Sequence, residues 1–450
     1  MLKRKIYTQL LEWKKQSQGS SALLIEGARR VGKSFIVEAF AKAEYDSYLL
    51  INFSKAPQSV KEWFDLYLED LDRLFGNLQL HYNKRLTPRK SLIIFDEIQN
   101  CPRAREAIKF LVADGRFDYI ETGSLISIKS KVKGINLPSE EETLEMHPLD
   151  FEEFLWAMGN EMLMPYIREC FEKRQPLGVA LHRKAMDYFR TYMVIGGMPQ
   201  AINAYLETKD FSNVEATKRK ILQLYRNDIR KYADNAEIKV TAIFDSIPGQ
   251  LQRHETKFQI SKIKEKAKMR DYENAFLWLS DAKVINCCYR TTEPSLGLKL
   301  NDERTTLKCY FADTGLLVSH AFDENGTVPN EIYQKIILGK LETNAGMLME
   351  NIVAQMLVAA KHKLFFYSKA STNAEERMEI DFLIAKSKIT NRHNISPIEV
   401  KSSKNYRLSS LQKCIKRYDQ YLATPYVLHT ADLKVENDIV FIPLYMTICL

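Results

Sequence analysis

One segment constrains what this chain can fold into more than any other: Gly27-Ala28-Arg29-Arg30-Val31-Gly32-Lys33-Ser34. Four residues separate its two glycines, and Lys-Ser follows the second at once. An apolar run, Ala22-Leu23-Leu24-Ile25, leads in and reads as a buried strand. From Phe35 to Ala43 the apolar residues recur at helical spacing. Strand, glycine loop and helix in this order build a phosphate cradle. The glycines let backbone N–H groups curl around oxygens, and the helix N-terminus adds partial positive charge. The pattern is a P-loop. It predicts that Gly27, Ala28, Arg29, Arg30, Val31, Gly32, Lys33, Ser34 and Phe35 contact ATP, with Lys33 on the β- and γ-phosphates and the Ser34 hydroxyl on Mg²⁺.

A second stretch completes that chemistry. Leu92-Ile93-Ile94-Phe95 is an apolar run that a parallel sheet can bury on both faces, and it ends in Asp96-Glu97. Asp96 is expected to emerge at the carboxyl end of the strand and hold Mg²⁺ with Ser34. Glu97 stands where a base must orient or deprotonate attacking water. Tyr119-Ile120-Glu121-Thr122-Gly123-Ser124 reads as a further strand with a polar end. Thr122 or Ser124 could sense the γ-phosphate there, or the segment could be an ordinary strand-to-loop turn.

Composition bounds the rest. At 450 residues and 45% hydrophobic the chain can bury large cores and predicts two to four domains. A net charge of +8 permits nucleic-acid contact without arguing for it. Seven scattered cysteines show no disulfide or zinc spacing. Glu12-Trp13-Lys14-Lys15 interrupts any signal-peptide core, and no apolar run is long enough to span a bilayer. A cytoplasmic protein without a membrane partner is the expectation.

Residues 1–20 read as an amphipathic helix with Ile6, Leu10, Leu11 and Trp13 near one face. Ser47 to Phe53 reads as a strand and residues 60–80 as helix. Residues 150–235 are rich in helical periods. Further on, Phe258 to Ile263 begins a short helix and Tyr272 to Asp281 reads as another. Lys283 to Tyr289 and Leu307 to Phe311 then read as strands. That order suggests a winged helix. Five lysines and Arg270 between Lys257 and Arg270 give it a basic face, for DNA or for docking a protein.

The last third holds another constellation. Glu350 lies in an apolar helix, Asp381 in the strand-like Glu379–Ile384, and Glu399 and Lys401 in Pro397–Ser403. Period-two alternation puts Glu399 and Lys401 on one face, and Asp381 can lie beside them. The layout resembles PD-(D/E)xK nucleases. That resemblance implies Glu350, Asp381 and Glu399 as metal ligands, and Asp381, Glu399 and Lys401 as catalytic residues. The other reading is a nuclease-like scaffold whose acids pair with Lys401. Lys401, Lys404, Arg407, Lys413, Lys416 and Arg417 could follow a phosphate backbone or keep a helix solvated.

The P-loop, Phe95-Asp96-Glu97-Ile98-Gln99, Thr122-Gly123-Ser124 and Pro148-Leu149-Asp150-Phe151-Glu152-Glu153-Phe154 together resemble a family of prokaryotic AAA-type ATPases. Gly196-Gly197-Met198-Pro199-Gln200-Ala201 and Tyr310-Phe311-Ala312-Asp313-Thr314-Gly315-Leu316-Leu317 resemble further signatures of it. The resemblance implies an α/β fold with four parts: a P-loop NTPase parallel-sheet core at 1–150, a helical lid at 151–240, a winged-helix-like module at 241–325 and a C-terminal restriction-nuclease-like α/β domain at 326–450. Where the family often has Gly-Arg before a Pro-Leu-Ser-Phe segment, this chain has Lys133-Gly134-Ile135-Asn136-Leu137-Pro138, and Asp150 replaces the serine. Arg226 and Arg230 are therefore candidates for an arginine finger. The expected function is Mg²⁺-dependent ATP hydrolysis coupled to movement of modules that act on nucleic acid. The alternative is a nucleotide switch that binds a protein partner or a second copy, with an inactive nuclease-like domain.

Overall fold

The structure, a computed structural model, describes residues 2–123, 139–253, 257–295, 297–322, 330–340, 345–386, 393–403 and 405–450. The chain divides into two compact units, Met1–His147 and Pro148–Leu450.

The first unit is built on a sheet whose central strands include the apolar runs Ala22–Ile25 and Leu92–Phe95. Its elements are α1 (Ile6–Ser17), β1 (Ala22–Glu26), α2 (Lys33–Glu44), β2 (Ser47–Asn52), α3 (Gln58–Leu66), α4 (Leu71–Tyr82), β3 (Ser91–Asp96), α5 (Pro102–Asp114), β4 (Asp118–Thr122) and β5 (Glu141–Glu145). Among the described residues the strands form one sheet in the order β2-β3-β4-β1-β5, every pair parallel. Each residue of β3 and β4 is buried, as strands covered on both faces require. Leu49, Ile51, Ile93, Phe95 and Tyr119 share one core with Val60, Phe64, Leu74, Phe75, Ile108 and Leu111 from α3, α4 and α5. The helix expected over 60–80 is two. Asp70 accepts the Arg73 N–H at 3.1 Å and caps a fresh start at α4. On α1 the buried side chains are Ile6, Leu10 and Trp13, whereas Leu11, expected with them, is 39% exposed.

The second unit opens with helices α6 (Phe151–Ala157), α7 (Leu163–Glu172), α8 (Val179–Ile195), α9 (Pro199–Thr208), α10 (Phe211–Tyr232) and α11 (Glu237–Gln252). It continues through α12 (Glu273–Asp281), β6 (Ile285–Thr291), β7 (Asp302–Phe311), α13 (Thr314–Ala321), α14 (Asn330–Ile337) and α15 (Ala345–Ala359). It ends with β8 (Phe365–Lys369), β9 (Met378–Ala385), β10 (Ile395–Val400), α16 (Ser409–Tyr418), β11 (Tyr426–His429), β12 (Lys434–Glu436) and β13 (Ile439–Pro443). Among the described residues the strands join in one sheet, β12-β13-β11-β10-β9-β8-β6-β7. The hairpin β6–β7 is antiparallel, and β6 pairs in parallel with β8. Strands before residue 323 and after residue 329 thus share one sheet. The helix expected from Phe258 is also absent. The Phe258 N–H donates to Leu307 O at 2.7 Å, and the Gln250 side chain bonds both the N–H and the C=O of Gln259 at 3.0 Å. These bonds hold 258–259 extended, and only the 3-10 turns Ile260–Lys262 and Met269–Asp271 follow.

Two glycine-bearing signatures meet inside this unit. Asp313 accepts the N–H of Gly197 at 2.6 Å and of Leu316 at 2.9 Å, while buried Lys218 donates to Val194 O and Gly315 O at 2.9 and 3.1 Å. A Cβ on Gly197 would stand 2.2 Å from Leu149 O, and one on Gly315 would stand 2.4 Å from Ile195 O. Only glycine permits backbones this close, so both motifs have a packing reason. Asp150 has one too. It caps α6 in a reciprocal box with Glu153, at 2.9 and 3.1 Å.

Candidate functional site

The loop between β1 and α2 is bent by positive φ at Gly27 (156°), Arg30 (72°) and Gly32 (98°). A Cβ on Gly27 would stand 2.3 Å from Met146 O. Val31 and Ala28 are buried beneath the loop; Arg29, Arg30 and Phe35 are exposed. Lys33 Nζ donates to Gly27 O at 2.9 Å and Ala28 O at 3.0 Å, so the ammonium lies on the loop's own carbonyls. Burial pulls its pKa down to about 8, against the upward pull of Glu97 and Asp96.

Strand register gathers the rest. Asn52 on β2, Asp96 on β3 and Thr122 on β4 are direct neighbours across three parallel strands, each at the carboxyl end of its strand. Ser34 Oγ donates to Asp96 Oδ1 at 2.6 Å, Thr122 Oγ1 donates to the same oxygen, and Asn52 Nδ2 donates to Oδ2. Asp96 is thus a buried carboxylate held wholly by neutral donors. Glu97 takes left-handed backbone, φ 56°, and its carboxylate accepts from Gln99 Nε2. Ser124, the other sensor candidate, lies outside the described residues. Asn52 and Gln99 were not anticipated. A polar residue ending an apolar strand, as in Leu49-Leu50-Ile51-Asn52, was the available signal for the first.

The constellation in the second unit is arranged otherwise. Lys401, just past β10, donates to Glu399 Oε2 at 2.7 Å. Asp381 Oδ2 on β9 accepts the Val400 N–H at 2.8 Å. Glu350 on α15 accepts from Tyr310 OH at 3.3 Å. Lys308 of β7 is buried and reaches Glu379 Oε1 at 3.0 Å and Asp381 Oδ1 at 3.8 Å. Burial opposes the Lys308 charge, but Glu350, Asp381 and Glu379 outweigh it and push its pKa up. Burial and then repulsion from Glu399 and Glu350 raise Asp381 well above the usual carboxylate range, and burial raises Glu399 despite Lys401. Among the described residues no three His, Cys, Asp or Glu side chains are grouped to hold a metal ion. Glu350, Asp381 and Glu399, expected as a metal set, are neighbours without forming one. Lys308 and Tyr310 come from the other module of the expected layout, and no local pattern announces them.

Three family models match separate stretches of the chain. Residues 19–155 match an AAA domain. The front of the chain is thus similar to AAA-type P-loop domains. Residues 186–325 and 345–447 match two domains of unknown function, DUF8612 and DUF4143. No curated protein matches the chain. Among solved structures, the Walker-type ATPase of Pyrococcus abyssi is 16% identical, with 71% of this chain and 96% of that one covered at a TM-score of 0.40. The Aeropyrum pernix ORC2 protein, in ADPNP and ADP complexes, is 14% identical, with 75% and 93% covered at 0.38. The Aeropyrum pernix ORC1 protein in complex with DNA is 11% identical, with 75% and 92% covered at 0.27.

Outside the AAA-type domain, the arginine-finger candidates differ. Arg226 pairs with Asp245 at 2.7 Å and lies over the Phe244 ring, whereas Arg230 is exposed. Lys413 donates to Ala374 O, and Lys404 lies outside the described residues. All seven cysteines are described and none forms a disulfide. Among the described residues no helix is long and apolar enough to cross a membrane.

Proposed function

We propose that the AAA-type domain binds ATP with Mg²⁺ and hydrolyses it. The observation that carries this reading is the neutral cage around Asp96. Ser34, Thr122 and Asn52 hold its carboxylate without neutralising it, so a hard cation is the natural complement. The donor set fits Mg²⁺: the Ser34 hydroxyl and the Asp96 carboxylate already touch. When bound, the ion would offset negative charge on the phosphate oxygens. Lys33, drawn off the Gly27 and Ala28 carbonyls, would hold the β- and γ-phosphates alongside the loop N–H groups. Glu97 would orient water for in-line attack, with Gln99 setting its carboxylate. Thr122 would report the nucleotide state through its bond to Asp96. ATP turnover by the full chain tests this. It should vanish in Lys33→Ala and fall in Glu97→Gln while nucleotide still binds. Unchanged turnover in both would defeat the reading.

A second reading, action on nucleic acid, has its own observation. Lys262, Lys264, Lys266, Lys268 and Arg270 are all exposed on one irregular segment. Such a stretch suits a phosphate backbone. Single- or double-stranded DNA should stimulate ATP turnover, and charge reversal at Lys264 and Lys266 should remove the stimulation. Turnover indifferent to DNA points to the protein-partner switch instead.

A further inference from the structure

The acidic cluster of the second unit carries its own cation. Lys308 Nζ lies 3.0 Å from Glu379 Oε1 and 3.8 Å from Asp381 Oδ1, on a side chain only 8% exposed. Lys401 Nζ lies 2.7 Å from Glu399 Oε2. The Val400 N–H and the Tyr310 hydroxyl take oxygens of Asp381 and Glu350. One buried oxygen, Glu399 Oε1, has no hydrogen-bond partner. A divalent ion of the kind that nuclease-like layouts imply needs about six oxygen ligands turned toward it. Here only Glu399 Oε1 among the oxygens named is left over; the others face ammonium, hydroxyl and amide hydrogens, and the buried ammonium would repel a second cation. The residues present do not fit a metal.

We propose that Lys308 is a tethered counter-ion that stands where a nuclease-like site would hold its metal. The last domain therefore takes up no divalent cation, and the same contact fastens the β6–β7 hairpin to β9. The proposal does not depend on what the P-loop does.

The test is Mn²⁺ binding by the full chain, read by electron paramagnetic resonance. Asp96→Asn is present throughout, to remove the P-loop carboxylate. The parent should show no Mn²⁺ that is lost on Asp381→Asn. Lys308→Met, which removes the ammonium but keeps most of the volume, should gain one site. Its affinity should exceed by about tenfold or more that of any Mn²⁺ the parent still holds, as expected where ligand charge sets affinity. It should disappear when Asp381→Asn is added, and Mn²⁺ should raise the thermal midpoint of Lys308→Met but not of the parent. Lys308→Arg, which keeps the charge, should behave as the parent. A parent chain with an Asp381-dependent Mn²⁺ site would overturn the proposal, and so would a folded Lys308→Met that gains none. Where Lys308→Met does not fold, the parent and Asp381→Asn titrations still decide it.

Discussion

Asp96 and Asp381 are both carboxylates set into a sheet, and their neighbours differ in kind. Around Asp96 the donors are two hydroxyls and an amide, all neutral. Around Asp381 and its companions the donors include two lysines, one buried. Neutral donors orient a carboxylate and leave its charge to be met from outside. Ammonium groups meet the charge in advance. Two acid clusters that look alike as motifs thus differ in what they can still accept: on the readings proposed above, the first has charge left for a cation and a phosphate, and the second is closed.

The largest expected effect lies at the open site. Glu97→Gln keeps the shape and loses the proposed base, so turnover should fall by about 10²–10⁴-fold with nucleotide affinity retained. Steady-state turnover alongside equilibrium binding checks it. A parallel loss of binding would mean that Glu97 holds nucleotide rather than water, and the contrast with the closed cluster would blur.

Next comes the closed cluster. Lys308→Met leaves Asp381, 17% exposed, and Glu379, 32% exposed, without their cation. Breaking a fully buried pair from one side typically costs about 3–5 kcal/mol, and the partial exposure of Glu379 sets the expected loss below that. Denaturant unfolding of the full chain should show it, and Asp381→Asn in the same background should recover part of the loss. A Lys308→Met chain as stable as the parent would mean that the lysine is incidental there.

These two clusters were unequally legible in the sequence, for a physical reason. The P-loop and Leu92–Glu97 are contiguous, because a strand end followed by a loop brings its own functional residues with it. Glycine spacing and burial run length were enough to read them. Asn52 required knowing that β2 ends beside β3, which is a matter of register. Lys308 required knowing that a hairpin read as a wing is the edge of the last sheet, and hydrophobic periodicity says nothing about which sheet a strand joins. Lys257–Arg270 misled in the opposite way. Its apolar spacing suited a helix, but Gln250 and Leu307 claim the backbone of Phe258 and Gln259 first. Asp150 was a departure from a motif until its box with Glu153 gave it a local role.

A smaller effect separates the two kinds of lysine by pH. Burial sets Lys33 at about 8 in the free protein. Bound phosphate, being negative, raises that value. Below 8 the lysine is charged whether or not nucleotide is bound, so affinity should be flat. Above 8 the free protein must gain a proton to bind, and affinity should drop by about tenfold per pH unit up to the raised value. Lys308 is shifted the other way and should keep its charge throughout. Nucleotide titration against pH checks the window, and Lys33→Arg should flatten the curve if it still binds. A decline that begins well below 8 would assign the dependence to another group.

The smallest effect decides which lysine closes the second cluster. Lys401 touches Glu399 at 2.7 Å, closer than either Lys308 contact, and proximity alone would rank it first. Exposure ranks it second: its side chain is 21% exposed against 8% for Lys308. Water can replace a cation that it can reach, although Glu399 beside it is itself only 5% exposed. Lys401→Met should therefore cost less than Lys308→Met by denaturant unfolding, because water reaches the vacated place, and it should open no Mn²⁺ site. If Lys401→Met costs as much as Lys308→Met, the charge is closed from the ExK side, and the hairpin lysine is a bystander to it.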